Sequence, residues 1–178
     1  MSGPARARVV LVGPMGAGKT TVARLLAAAW GTTVRDTDHD VEAAEGRTIS
    51  DIFVDSGEDA FRALERHAVA EALSQHDGVL ALGGGAVLDP ATRALLAGHQ
   101  VVFLRVGLSD AVKRVGLGVS RPLLLGNVRG RIKALLDERT PIYESVATLV
   151  VDTDGRSPED VAKEIRAALD GPAREGEA

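Results

Sequence analysis

The most specific chemistry in the 178-residue chain lies in Gly13-Pro14-Met15-Gly16-Ala17-Gly18-Lys19-Thr20. These residues fit G-x-x-x-x-G-K-[ST], and an apolar run at 9–12 before them and a helical-looking stretch at 21–30 after them supply the strand–loop–helix context the pattern needs. The expected chemistry is phosphate binding. Gly13, Gly16, Ala17 and Gly18 let the backbone turn tightly enough to aim several N–H groups at one anion. Lys19 adds a mobile positive charge for the terminal phosphates. Thr20 offers a hydroxyl to magnesium, and Thr21 opens a helix whose positive end faces the same anion. Only four of the 21 basic residues are lysine, so a lysine at this one position is informative.

Asp36-Thr37-Asp38 follows a short candidate strand at 33–35. Two carboxylates one residue apart repel unless a cation or hydrogen-bond donors lie between them. Strand alternation would send them different ways, Asp36 to magnesium through its water shell and Asp38 to an acceptor hydroxyl. An aspartate with an ordinary pKa of roughly 3.9 does not deprotonate an alcohol in the ground state. It does orient the hydroxyl and accept its proton late, which is enough for a loose phosphoryl-transfer transition state. The competing reading is an Asx turn with two solvated acids.

Arg62 stands three residues before Glu65, a spacing that lets the two meet on one helix face; as a plain surface ion pair they would contribute under about 1 kcal/mol. Arg139 ends a helical pattern just before Pro141, where it would also complement a helix dipole. If the two arginines converge, their planar forks suit a carboxylate. Arg121, inside an irregular apolar stretch, is placed to close over a transferring phosphate. Phe53 and Phe61 read as core residues first and pocket lining second. His39, His67, His76 and His99 show no metal-ligand spacing and read as surface residues.

These groups need a scaffold, and the periodicity supplies one. Apolar runs at 9–12, 79–82, 101–104 and 148–151, with the short strand at 33–35, alternate with helical patterns. The helices are expected at 19–29, 41–45, within 48–76 with a break near Ser56-Gly57, and at 90–97, 109–115 and 129–139, with a last one opening at Ser157-Pro158. The expectation is an α/β chain built on a doubly wound parallel sheet. Its ligand would lie outside the carboxyl ends of the strands, where the glycine loop, Asp36-Thr37-Asp38 and Gly83-Gly84-Gly85 all fall. The stretch at about 114–127 reads as a mobile lid and the tail at 171–178 as disordered, leaving one domain over 1–170.

Composition narrows the partners. A net charge of −4 argues against a global field that recruits nucleic acid, and the absence of cysteine excludes thiolate metal sites, disulfides and thiol catalysis. No apolar run is of signal-peptide or bilayer-spanning length, so the expected location is the cytoplasm.

Several motifs in order give the chain a resemblance to the shikimate kinase family. They are the glycine loop with Lys19-Thr20; Asp36-Thr37-Asp38 leading to Val41-Glu42; Gly46-Arg47-Thr48-Ile49 with Ile52-Phe53; Gly57-Glu58 with Phe61-Arg62 and Glu65; Leu82-Gly83-Gly84-Gly85; Arg121-Pro122-Leu123-Leu124; and Arg139 with Pro141-Ile142-Tyr143. The resemblance implies a three-layer P-loop NTPase fold with a five-stranded parallel sheet, acceptor-binding helices at about 37–76, and a monomer. It implies transfer of the γ-phosphate of ATP, with Mg2+, to the 3-hydroxyl of shikimate on the route to chorismate and the aromatic amino acids. It also implies that Asp38, Arg62, Arg139 and Gly83 to Gly85 hold shikimate, that Arg121 reaches phosphate, and that Arg114 and Arg156 flank adenine. Gluconate kinase and nucleoside monophosphate kinases are the enzymatic rivals, and a nucleotide-binding module without catalysis is the rival of another class. ADP release with and without each acceptor separates them.

Overall fold

The computed structural model describes residues 6–116 and 127–171. Five parallel strands, β1 (Val9–Val12), β2 (Val34–Asp36), β3 (Val79–Ala81), β4 (Val101–Arg105) and β5 (Leu149–Asp152), form one sheet in the order β2-β3-β1-β4-β5. Strand alternation explains why helices cover both faces. Val9 and Leu11 point into one core with Val22, Leu26 and Ile165, whereas Val10 and Val12 point into the other with Val69, Leu80, Phe103 and Tyr143. The first core is roofed by α1 (Lys19–Trp30), α6 (Leu108–Gly116), the first half of α7 (Val128–Val146) and α8 (Pro158–Asp170), the second by α4 (Glu58–Gln75), α5 (Pro90–Leu96) and the end of α7, with α2 (Thr37–Glu45) and α3 (Ile49–Ser56) apart from both.

β1 and β3 are neighbours, paired Val9 with Val79 and Leu11 with Ala81. The chain leaves β1 toward β2 and leaves β3 toward β4, in opposite directions across the sheet. Their two glycine loops therefore open a crevice between them, at the switch point where such sheets take ligands. A third apolar cluster, Val41, Ile52, Phe61 and Ala68, joins α2, α3 and α4 into a small unit of its own beside that crevice. No described helix is long and apolar enough to cross a membrane.

Four local expectations need correction. The helix after β2 starts at Thr37 rather than Val41, because the Asp36 carboxylate accepts from the Asp38 N–H and caps it. Helix geometry, not strand alternation, thus separates the two aspartates. α6 starts at Leu108 rather than at 109, with Ser109 inside it; the carbonyl of Gly107 accepts the first helical bond, from Ala111. Arg114, expected at the start of the lid, therefore sits on a helix, and Asn127 at the lid's far end caps α7 through the Gly130 N–H. The rest of the lid, including Arg121, and the tail beyond Gly171 lie outside the described residues. Of the four histidines, two are not plain surface residues: His76 Nε2 lies 3.1 Å from the carbonyls of both Thr33 and Val79, and His99 Nδ1 is buried without a hydrogen-bond partner among the described residues.

The largest departure is α7, which runs to Val146 through Pro141 instead of stopping at Arg139. A proline inside a helix removes one hydrogen bond at a cost of about 3 kcal/mol or more. Here Pro141 is exposed, and so is Asp137, whose carbonyl loses its donor and can turn to water. The turn beyond it carries Tyr143, fully buried and stacked on Phe103 with ring centroids 5.0 Å apart. Burying an aromatic of that size contributes about 4–6 kcal/mol, enough to keep the helix going.

Candidate active site

The glycine loop has the backbone its sequence requires. Gly13, Gly16 and Gly18 have φ of 152°, 83° and 90°, a region closed to ordinary side chains, and Gly18 immediately precedes α1. The Lys19 ammonium curls back over the loop and donates to the carbonyls of Gly13 at 2.6 Å and Pro14 at 3.0 Å. Its burial pulls the pKa down to about 8, against the opposing pull of the Asp38 and Asp36 carboxylates, so it still carries its charge at neutral pH. Thr20 is exposed at the first turn of α1. Together with Gly16, Gly18, Lys19, Thr21, Asp36, Asp38, Gly83 and Gly84 it lines a cavity of about 300 Å³.

A larger cavity of about 410 Å³ opens on the other side of Asp38 and contains Phe61, Arg62, Glu65, Gly85 and Arg139 in its wall. Asp38 and the glycines at 83 and 84 belong to both cavities, so the aspartate stands between them. Burial, then the neighbouring Asp36, raise its pKa above the ordinary 3.8, with Lys19 opposing. A carboxylate with more proton affinity than usual, held within reach of a lysine charge, is suited to receive a proton.

Each of the three glycines after β3 lies against one of these groups. A methyl group on Gly83 would stand 2.5 Å from Asp38 Oδ1, one on Gly84 would stand 3.7 Å from Arg139 Nη1, and one on Gly85 would overlap both terminal nitrogens of Arg62. The two arginines, 77 residues apart in sequence, thus converge on adjacent peptides. Arg62 is held by Glu65 at 2.8 Å, and Glu65 itself is only 3% exposed. Burial raises the Glu65 pKa, with its hydrogen bond to Arg62 opposing. Arg139 has no ion pair among the described residues, and its buried Nε has no hydrogen-bond partner there. A guanidinium pair with spare donors at a cavity wall is a receptor for a planar anion such as a carboxylate.

A third cavity, about 250 Å³, lies at the far end of the glycine loop between Ala17, Gly18, Thr21, Arg114, Thr153, Arg156, Pro158 and Val161. Arg114 is anchored there through the carbonyls of Gly16 at 3.1 Å and Thr153 at 3.0 Å. Arg156 donates to the Asp152 carbonyl at 2.9 Å. Pro158, expected only to start a helix, also forms part of this wall.

Two further differences concern the larger cavity. Phe53, expected to line the site, is 37% exposed and touches Phe61 with centroids 4.8 Å apart, but it is not in the cavity wall. Leu135, not among the candidate site residues, is 44% exposed and lines the cavity, with Met15, Ile49, Val115 and Ile132.

Comparison with known proteins agrees with this geometry. The family model described as shikimate kinase matches residues 15–170. The shikimate kinase of Thermobifida fusca is 59% identical over 169 residues, covering 93% of this chain and 98% of the relative. That of Salinispora arenicola is 61% identical over 160 residues, covering 90% and 96%. Among solved structures, the shikimate kinase from Acinetobacter baumannii in complex with shikimate superposes with a TM-score of 0.85 at 36% identity, covering 93% of each chain. The Aquifex aeolicus shikimate kinase gives 0.77 at 31% identity, covering 94% of this chain and 99% of that one. With the phosphate loop, the paired arginines and nearly the full length of these relatives accounted for, the chain belongs to the shikimate kinase family.

Proposed function

We propose that this chain transfers the γ-phosphoryl group of ATP to the 3-hydroxyl of shikimate, and that the two cavities flanking Asp38 are the donor and acceptor halves of one site. The observation that carries this reading is the placement of Asp38, Arg139 and Arg62 against Gly83, Gly84 and Gly85 in turn. Arg62 and Arg139 hold the shikimate carboxylate, and Glu65 fixes the Arg62 fork. With the ring so anchored, the hydroxyl to be phosphorylated meets Asp38 at the boundary of the phosphate cavity. In the transfer step the hydroxyl oxygen bonds to the γ-phosphorus as the bond to the bridging oxygen of ADP breaks. Asp38 takes the hydroxyl proton, and Lys19, swung off the loop carbonyls, offsets charge on the moving group.

Thr20 and Asp36 are the groups that would hold magnesium. Magnesium at such sites takes one or two protein oxygens and completes its shell with phosphates and water, so a hydroxyl and a carboxylate sharing one cavity fit it. When bound, the ion neutralises phosphate charge. Arg114, Arg156 and Pro158 would flank the base in the third cavity, and Arg121 would reach the phosphates. The reading extends to a monomeric enzyme with one kinase domain over 1–170 whose acceptor helices span 37–76. A reaction that consumes ATP belongs in the compartment that holds ATP, the cytoplasm.

The test of the reaction is product identity. Incubation with Mg-ATP and shikimate should yield a monophosphate whose phosphorus couples to the proton on carbon 3; coupling to another ring proton would refute the placement of the hydroxyl at Asp38. A second check uses Gly85→Ala. Gly85 has an ordinary backbone with φ of −98°, so the added methyl group strains nothing by itself and acts only by pushing the flexible end of Arg62 aside. The expected result is a shikimate KM raised about tenfold or more, with a thermal midpoint lowered by the loosened Arg62–Glu65 pair and the KM for ATP nearly unchanged. An unchanged shikimate KM would remove Arg62 from the acceptor site.

A further inference from the structure

We propose that Tyr143 is a positioning residue for the acceptor: its hydroxyl fixes the Gly84–Gly85 peptide so that the Gly85 N–H faces the carboxylate held by Arg62 and Arg139. Tyr143 lies one helical turn after Arg139, on the same face of α7. Its ring is fully buried against Phe103, and its hydroxyl donates to the carbonyl of Gly84. The Arg139 guanidinium lies beside the same phenol oxygen. One hydroxyl therefore ties together the second glycine of the acceptor loop and one of the two arginines.

The geometry of the peptide unit gives this contact its consequence. The chain contains no cis peptide among the described residues, so the Gly84 carbonyl and the Gly85 N–H point in opposite directions from one plane. Tyr143 draws the carbonyl toward the core, and the N–H is thereby turned away from the core, toward the cavity. Neither the Gly84 nor the Gly85 N–H donates to any described residue, although Gly85 is buried. A buried amide without a partner is rare, and one in a cavity wall is a donor reserved for ligand. Glycine makes the restraint necessary, since a Gly-Gly peptide has more freedom to rotate than any other. Phenylalanine would fill the same volume; only the hydroxyl holds the plane.

The inference rests on the shikimate kinase reading, which wild-type turnover of shikimate tests separately. In the full-length protein, Tyr143→Phe keeps the ring and removes the hydroxyl. Its shikimate KM should rise about tenfold, the scale of one hydrogen bond to a charged group, while kcat and the KM for ATP stay within about twofold. Phe103→Leu keeps the hydroxyl and loosens the ring packing. It should lower the thermal midpoint and leave the shikimate KM unchanged. Active wild-type enzyme with an unchanged shikimate KM in Tyr143→Phe overturns the proposal, and so does an equal loss for both substrates. An equal KM rise in Phe103→Leu overturns it too, since ring packing rather than the hydroxyl would then hold the loop.

Discussion

Lys19→Ala should lower kcat for shikimate phosphorylation by about 10²–10³-fold while the protein stays folded, the loss seen when one group that stabilises transition-state charge is removed. Stability is expected to survive because Lys19 brings a folding liability of its own. Burial lowers its pKa to about 8, so its charge is less comfortable in the folded protein than in water. What the variant gives up is the contact to the Gly13 and Pro14 carbonyls at 2.6 and 3.0 Å, the second of them on a residue in the wall of the larger cavity. Steady-state kinetics beside a thermal melt checks both halves. A variant retaining more than a tenth of wild-type kcat would remove Lys19 from the phosphoryl-transfer step, and an unfolded variant would show that the ammonium holds the loop together.

Arg139→Ala should raise the shikimate KM by at least about 30-fold, which corresponds to the lower end, about 2 kcal/mol, of truncating one partner of a desolvated charge pair. The KM for ATP should move little. Arg139 makes the cleaner test of the carboxylate pocket than Arg62. Truncating Arg62 strands Glu65, a carboxylate 3% exposed whose 2.8 Å partner is lost, and leaving a buried charge unpaired destabilises by several kcal/mol. Arg139 has no such partner among the described residues, so its removal orphans no acid. Arg62→Ala is accordingly expected to combine the KM effect with a lower thermal midpoint, whereas Arg139→Ala should show the KM effect alone. If Arg139→Ala weakened ATP and shikimate equally, the two arginines would not form a dedicated acceptor site.

How much of this was readable beforehand depended on how local the cause was. The glycine loop, the strand at Val9–Val12 and the helix from Lys19 are set by neighbours in sequence, by glycine's backbone freedom and by a period of two giving way to one of 3.6. They could be read from the chain. Arg62 and Arg139 were legible as candidates, but their convergence was not, because it depends on the packing of α4 and α7 against the same glycine loop. The end of α7 was misread because a local rule, that proline stops helices, was outweighed by the burial of Tyr143 two residues later. That misreading also hid the link between Tyr143 and Gly84, since a helix ending at Arg139 gives no reason to place position 143 on its face. The cap at Asp36 was missed for a related reason: a residue can end a strand and begin a helix at once, and its side chain then serves the backbone.

The central claim, that the arginine pair and Asp38 make this a shikimate-specific phosphotransferase, is tested most directly by ADP release from the purified protein with Mg-ATP. Four conditions are compared: shikimate, gluconate, a nucleoside monophosphate and no acceptor. Release should depend on shikimate, with gluconate and the nucleotide no better than the blank. Release with gluconate matching that with shikimate, or no release with shikimate from protein that demonstrably binds ATP, would contradict it.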